Sequence, residues 1–147
     1  MTLPEFQILY FEDLSLGMTE SYAKTVKSSD LIGFAEISGD RNPIHLSEHF
    51  AAKTPFKSRI AHGLYTASLL SALIGTRLPG PGAIYISQTL NFKAPVKIGD
   101  VVLASVKVAE IMPRGRIRLT CQCSVDGTVV LEGEAVIKVP SRSTQLE

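Results

Sequence analysis

An aspartate and a histidine stand five residues apart in the segment Ser38-Gly39-Asp40-Arg41-Asn42-Pro43-Ile44-His45. Near pH 7 an unperturbed Asp is ionised and an unperturbed His mostly neutral, so the pair offers one charged acceptor and one group able to take or give a proton. Water held between Asp40 and His45 is water that can be activated. On an uninterrupted helix the two side chains would point about 140° apart and could not cooperate. Pro43 lacks an amide hydrogen and disfavours helical geometry at Asn42, so the backbone must turn here, and a turn can bring carboxylate and imidazole together. A plainer reading stays open: Asp40 and Asn42 are turn formers, and His45 caps or packs beside the next helix.

A second group lies at Ile60-Ala61-His62-Gly63, where a long helix begins. The unpaired amides and positive dipole end of a helix N-terminus hold an oxyanion well, and Gly63 has no side chain to block a close approach. Gly63 serves either that purpose or tight packing. His62 is either part of the chemistry or a packed residue at the helix end.

The elements that must position these groups follow from local signals. Ser21 to Val26 reads as a strand, and Ser28-Ser29-Asp30 supplies N-cap chemistry for a helix through Leu31, Phe34, Ala35 and Ile37 that ends at Gly39. A short helix follows from Ser47 to Lys53, closed by Thr54-Pro55. From His62 to Leu78 runs a helical stretch with no charge before Arg77 and with apolar or small residues on every face, the pattern of a helix enclosed by other structure. After the break at Leu78-Pro79-Gly80-Pro81-Gly82 the rest reads as strands over 83–96, 101–111, 116–125 and 128–139, separated by turn signals of which Asp126-Gly127 is the clearest. Helices followed by an antiparallel meander give an α+β layout in which a curved sheet wraps the long helix. Residues 1–140 form one domain and 141–147 a polar tail.

Composition narrows the function classes. Fifteen basic residues against fourteen acidic leave a charge of +1, with no Lys/Arg run to track a nucleic acid. Cys121 and Cys123 are alternate residues of one strand, too few for a zinc site and badly placed for a bridge. No apolar run reaches the roughly 18 residues of a membrane span, and Met1-Thr2-Leu3-Pro4-Glu5 lacks the basic start of a signal peptide, so a cytoplasmic location is expected.

Gly39-Asp40-Arg41-Asn42-Pro43-Ile44-His45 resembles the signature of the MaoC-like, R-specific enoyl-CoA hydratases (hydratase 2), with Ala51 matching the small residue downstream. Phe11-Glu12-Asp13-Leu14, Ile60-Ala61-His62-Gly63, Leu78-Pro79-Gly80, Gln88-Thr89-Leu90-Asn91-Phe92 and Lys93-Ala94-Pro95-Val96 extend the likeness over nearly the whole chain, which is most similar to the short bacterial form that feeds polyester synthesis. The resemblance implies a hot-dog fold, a homodimer, and reversible hydration of a trans-2-enoyl-CoA to the (R)-3-hydroxyacyl-CoA with no cofactor and no metal. It makes Asp40 and His45 the catalytic dyad and the Gly63 amide the donor to the thioester oxygen, with Ser71, Asn42 and His62 in support. Tyr65 departs from the aliphatic residue of the pattern. Lys57 or Arg59 is placed near the entrance, where the phosphates of CoA would pass. An acyl-CoA thioesterase of the same fold and a non-catalytic acyl-CoA or acyl-carrier binding module are the competing readings.

Overall fold

The computed structural model describes residues 5–144. A short 3-10 turn, Phe11–Asp13, is followed by β1 (Thr19–Thr25), α1 (Ser28–Ser38), α2 (Pro43–Leu46), α3 (Glu48–Ala52) and α4 (Gly63–Thr76). Then come β2 (Ile84–Gln88), β3 (Asn91–Phe92), β4 (Val101–Met112), β5 (Arg116–Val125) and β6 (Thr128–Lys138). The strands form one antiparallel sheet in the order β1-β4-β5-β6-β2, with β3 also pairing to β6. The α+β hot-dog architecture expected from the sequence is present.

Alternation along β4 and β5 puts Val102, Ala104, Val106 and Val108, and Ile117, Leu119, Cys121 and Cys123, on one buried face. The sheet curves around α4, which inserts Leu69, Leu70, Leu73 and Ile74 against it. Each such fully buried side chain contributes about 1.5–3 kcal/mol. The β5–β6 hairpin turns at Asp126 and Gly127, both at positive φ, the geometry that follows the natural strand twist. Both cysteines are buried and unpaired, and burial lifts their thiols to about 11 for Cys121 and about 12 for Cys123, so neither is a nucleophile at neutral pH.

The structure departs from the sequence expectations in three places. Helix α4 is covered by the sheet on one side only: Leu64, 60 % exposed, begins an open stripe continued by Ser68, Ser71 and Gly75. These four positions share one helix face, and a single sheet cannot reach it. The stretch 83–96 is two short strands rather than one, because the chain leaves the ladder after Gln88 and crosses over β6 at Gly133. A methyl group at Gly133 would lie 1.8 Å from the Thr89 carbonyl oxygen, so only glycine admits the crossing. Finally, Pro43 does more than turn the backbone; it occupies the first position of a further four-residue helix, α2.

An N-terminal strap closes the open end of the fold. Gln7 N–H donates to Thr76 O (2.7 Å), Leu9 N–H to Pro79 O (2.9 Å) and Phe11 N–H to Pro140 O (2.9 Å). The polar tail begins with a 3-10 turn, Arg142–Thr144, whose Arg142 guanidinium grips Asp13 and lies over the Tyr10 ring; residues 145–147 lie outside the described residues. Among the described residues no helix is long and apolar enough to cross a membrane.

Replacing Gly133 by Ala should cost about 3 kcal/mol of stability, because the obstruction is main chain and cannot swing away. Denaturant unfolding measures it, and a midpoint equal to that of the unaltered protein would contradict the crossing.

Candidate active site

Helix α1 ends at Gly39, whose left-handed conformation (φ 81°) turns the chain toward the mouth of α4. Asp40 follows in a loop held by its own polar atoms: Asp40 N–H donates to Ser38 Oγ (3.0 Å) and Asn42 N–H to Asp40 Oδ1 (3.2 Å). Asn42 Oδ1 caps α2 by accepting from Ile44 N–H (3.1 Å). The turn-forming and chemical readings of this segment are therefore compatible, since the turn is what delivers His45, two residues further along α2, to Asp40.

His45 and His62 are both buried and their rings stack, with centroids 3.7 Å apart and planes 25° apart. Phe34 packs on the other ring neighbour, 4.8 Å from His62. His45 Nδ1 lies 2.7 Å from Ile60 O. A carbonyl only accepts, so Nδ1 carries the hydrogen and Nε2 keeps its lone pair. By the same argument His62 Nε2–H donates to Asp40 O (3.0 Å), while its buried Nδ1 has no partner among the described residues. Desolvation is the dominant cause and pushes the His45 pKa below the ordinary imidazole value; the hydrogen bond to Ile60 opposes it, and of the smaller effects His62 lowers the pKa and the Asp40 charge raises it. His45 is thus a neutral acceptor at pH 7.

A carboxylate oxygen of Asp40 and a ring nitrogen of each histidine lie within 4.8 Å of one another, yet Asp40 and His45 make no direct side-chain hydrogen bond. Two hydrogen bonds through one water span about 4.6 Å, so the gap suits a bridging water. These are also metal-type ligands. An imidazole binds an ion in its own ring plane, however, and two stacked rings cannot both direct a lone pair at one ion, so the geometry fits water better than a metal.

Beside this group opens a cavity of about 710 Å³, in the size range of small-ligand sites. Asp40, His62, Gly63 and Thr66 supply its polar side; Phe56, Ile60, Val96, Val130 and Leu131 are among its apolar walls. Gly63 is the first residue of α4, where the amide has no partner within the helix. Phe92 explains part of the glycine requirement, because a methyl group at 63 would meet its ring at 2.6 Å.

Other expected positions fall elsewhere. Ser71 sits on the exposed stripe two turns beyond Gly63, about 12 Å along the axis, rather than beside Asp40 and His45 in this chain. Tyr65 turns away from the cavity, its hydroxyl donating to Asp30 Oδ2 (3.2 Å) and its ring edge-on to Phe34. Arg59 is no entrance cation: it is buried, its Nε–H donates to His45 O (2.7 Å) and its Nη1–H to Ser28 Oγ (3.0 Å). It ties α2 to the start of α1. Nothing local in the sequence marks that inward turn, since both acceptors come from distant segments.

Residues 16–128 match the family described as MaoC like domain. The chain belongs to the MaoC-like family. It is 68 % identical over 141 residues to a 3-hydroxybutyryl-CoA dehydratase of Methylorubrum extorquens, covering 95 % of this chain and 90 % of the relative. It is 49 % identical over 143 residues to an (R)-specific enoyl-CoA hydratase of Rhodospirillum rubrum, covering 97 % and 99 %. The unliganded structure of the R-hydratase PhaJ1 of Pseudomonas aeruginosa superposes with a TM-score of 0.90 at 43 % identity, over 93 % of this chain and 89 % of that one.

In an NMR titration His45 should show a midpoint below 6.5, with the Nδ1–H tautomer above it, because burial opposes the charged form. A midpoint at or above 6.5 would remove the basis for a neutral acceptor at this position.

Proposed function

We propose that this MaoC-like chain is a hydro-lyase that reversibly hydrates a trans-2-enoyl-CoA to the (R)-3-hydroxyacyl-CoA. The observation that carries the reading is that Asp40, on the wall of an apolar cavity, has a carboxylate oxygen within 4.8 Å of a ring nitrogen of His45, which stands just behind that wall, a separation one water can bridge. Relatives named as a 3-hydroxybutyryl-CoA dehydratase and as R-specific hydratases support the substrate class and the hand of the product.

The thioester oxygen accepts from the Gly63 amide, and the positive end of α4 steadies the enolate-like charge that grows there. Water donating to both Asp40 and His45 Nε2 presents an oxygen lone pair to C3. As the C3–O bond forms, one water O–H bond breaks and its proton reaches C2 by way of the dyad. Nothing else is consumed, so the reverse path is dehydration. Arg59 and His62 act at one remove: Arg59 fixes the carbonyl of His45, and His62 holds the ring of His45 and the carbonyl of Asp40.

The working unit is a homodimer in this reading. The open stripe of α4 and the edge strand β2, with Ile84, Tyr85 and Ile86 all substantially exposed, leave apolar surface and, among the described residues, a strand edge that a second copy would cover. Ser71 lies on that stripe, where its support for the chemistry would be exerted across the subunit boundary. Ile86→Lys should shift the protein toward monomer in sedimentation; a wild-type chain that sediments as a monomer at micromolar concentration would refute the dimer.

Incubation with crotonyl-CoA separates the functions: loss of the enoyl absorbance without thiol release supports hydration, thiol release a thioesterase, and neither a binding module. Asp40→Asn and His45→Gln should each lower kcat by about 10²- to 10⁴-fold while the circular dichroism spectrum is unchanged. Near-normal turnover in both variants would defeat the dyad.

A further inference from the structure

Thr66 lies one turn into α4 and is only 3 % exposed, yet its residue lines the cavity together with Asp40, His62 and Gly63. Helical Ser and Thr hydroxyls commonly bond back to a carbonyl of the preceding turn. Ser68 does so to Tyr65 O (2.6 Å) and Thr76 to Ala72 O (2.6 Å). The Thr66 hydroxyl makes no such bond among the described residues, although its neighbours on the cavity wall, Val96, Val130 and Leu131, are all buried and apolar. A hydroxyl that lines the cavity without a partner among the described residues is free to donate to whatever enters it.

Its direction indicates what accepts. Residues three apart share a helix face, and the Cα–Cβ bond of every helical residue leans toward the N-terminus, so the Thr66 side chain is carried back toward the turn that begins at Gly63. The Thr66 backbone is fixed from both sides: its N–H donates to His62 O (3.3 Å) and its carbonyl accepts from Cys123 Sγ (3.8 Å). We propose that the Thr66 hydroxyl is a second donor to the thioester oxygen of the substrate, forming with the Gly63 amide a two-donor oxyanion site. This rests on the hydratase reading above.

Two donors of different kinds divide the work. The Gly63 amide is rigid and aligned with the helix axis; the Thr66 hydroxyl rotates about one bond and can follow the oxygen as the carbonyl lengthens into an enolate. Because the hydroxyl has no competing partner among the described residues, no such bond must be broken before it engages.

Thr66→Val removes the hydroxyl and keeps the branched shape, and Thr66→Ser keeps the hydroxyl. With crotonyl-CoA, Thr66→Val should lose about 10²-fold in kcat with KM little changed, whereas Thr66→Ser should retain most of the activity. Binding of unreactive butyryl-CoA, labelled with ¹³C at the thioester carbonyl, gives a readout independent of turnover. The carbonyl stretch should move to lower frequency on the unaltered protein and on Thr66→Ser, and part of that shift should vanish on Thr66→Val. Unchanged kcat and an unchanged carbonyl frequency in Thr66→Val would overturn the assignment. If Thr66→Val does not fold, Thr66→Ala takes its place with the same expectations. Failure of the unaltered protein to consume crotonyl-CoA would overturn the hydratase reading itself, whereas normal hydration by both the unaltered protein and Thr66→Val would overturn only the role of Thr66.

Discussion

Two imidazoles each commit their single N–H to a main-chain carbonyl, and the rest of the site depends on that pair of hydrogen bonds. His45 gives its Nδ1–H to Ile60, and His62 gives its Nε2–H to Asp40. Each bond settles a tautomer, and each joins a segment before the long helix to the helix mouth itself. Because the rings also stack, neither histidine can rotate without displacing the other. The carboxylate loop, the imidazole and the N-terminus of α4 therefore behave as one rigid corner. For the proposed hydration this rigidity counts, because a water bridging two acceptors is positioned only as well as the acceptors are.

Around that corner lies a second set of contacts that do not reach the cavity. The Arg59 guanidinium is buried against the end of α2 and reaches back to Ser28, with Glu48 3.8 Å away. Phe34 fills the space beside His62 and meets Tyr65, whose hydroxyl is tied to Asp30. Asp30 in turn caps the start of α1 by accepting from Lys27 N–H and lies 3.6 Å from the Lys24 ammonium. Thus α1 is fastened at its beginning to the same helix whose mouth its end must meet. The aromatic residue at position 65 belongs to this support and does not narrow the cavity.

How much of this was legible in the amino-acid sequence depended on how local the cause was. Pro43 acts through its own ring and missing hydrogen, so the turn that joins Asp40 to His45 can be read without knowing the fold. The hairpin at Asp126-Gly127 is set by two residues, and the buried alternation of β4 and β5 by their own pattern. Long-range causes left no local trace. The gap between β2 and β3 arises because Gly133, over forty positions away, lets the Thr89 carbonyl through. Phe92 lies over Gly63 and Arg59 turns inward for reasons held in other segments. The open side of α4 misled for another reason: serine and glycine are small enough to suit a buried helix, so composition could not say that one face lacks a neighbour.

One part of the cavity wall is built from Val130 and Leu131 on β6, while its polar residues Asp40, Gly63 and Thr66 stand on the loop after α1 and on the first turn of α4. Strand and loop share no covalent neighbourhood, and side chains on β6 alternate between faces independently of the turn chemistry at Pro43. The shape of the cavity is therefore set on β6, by residues that take no part in the turn at Pro43 or in the first turn of α4.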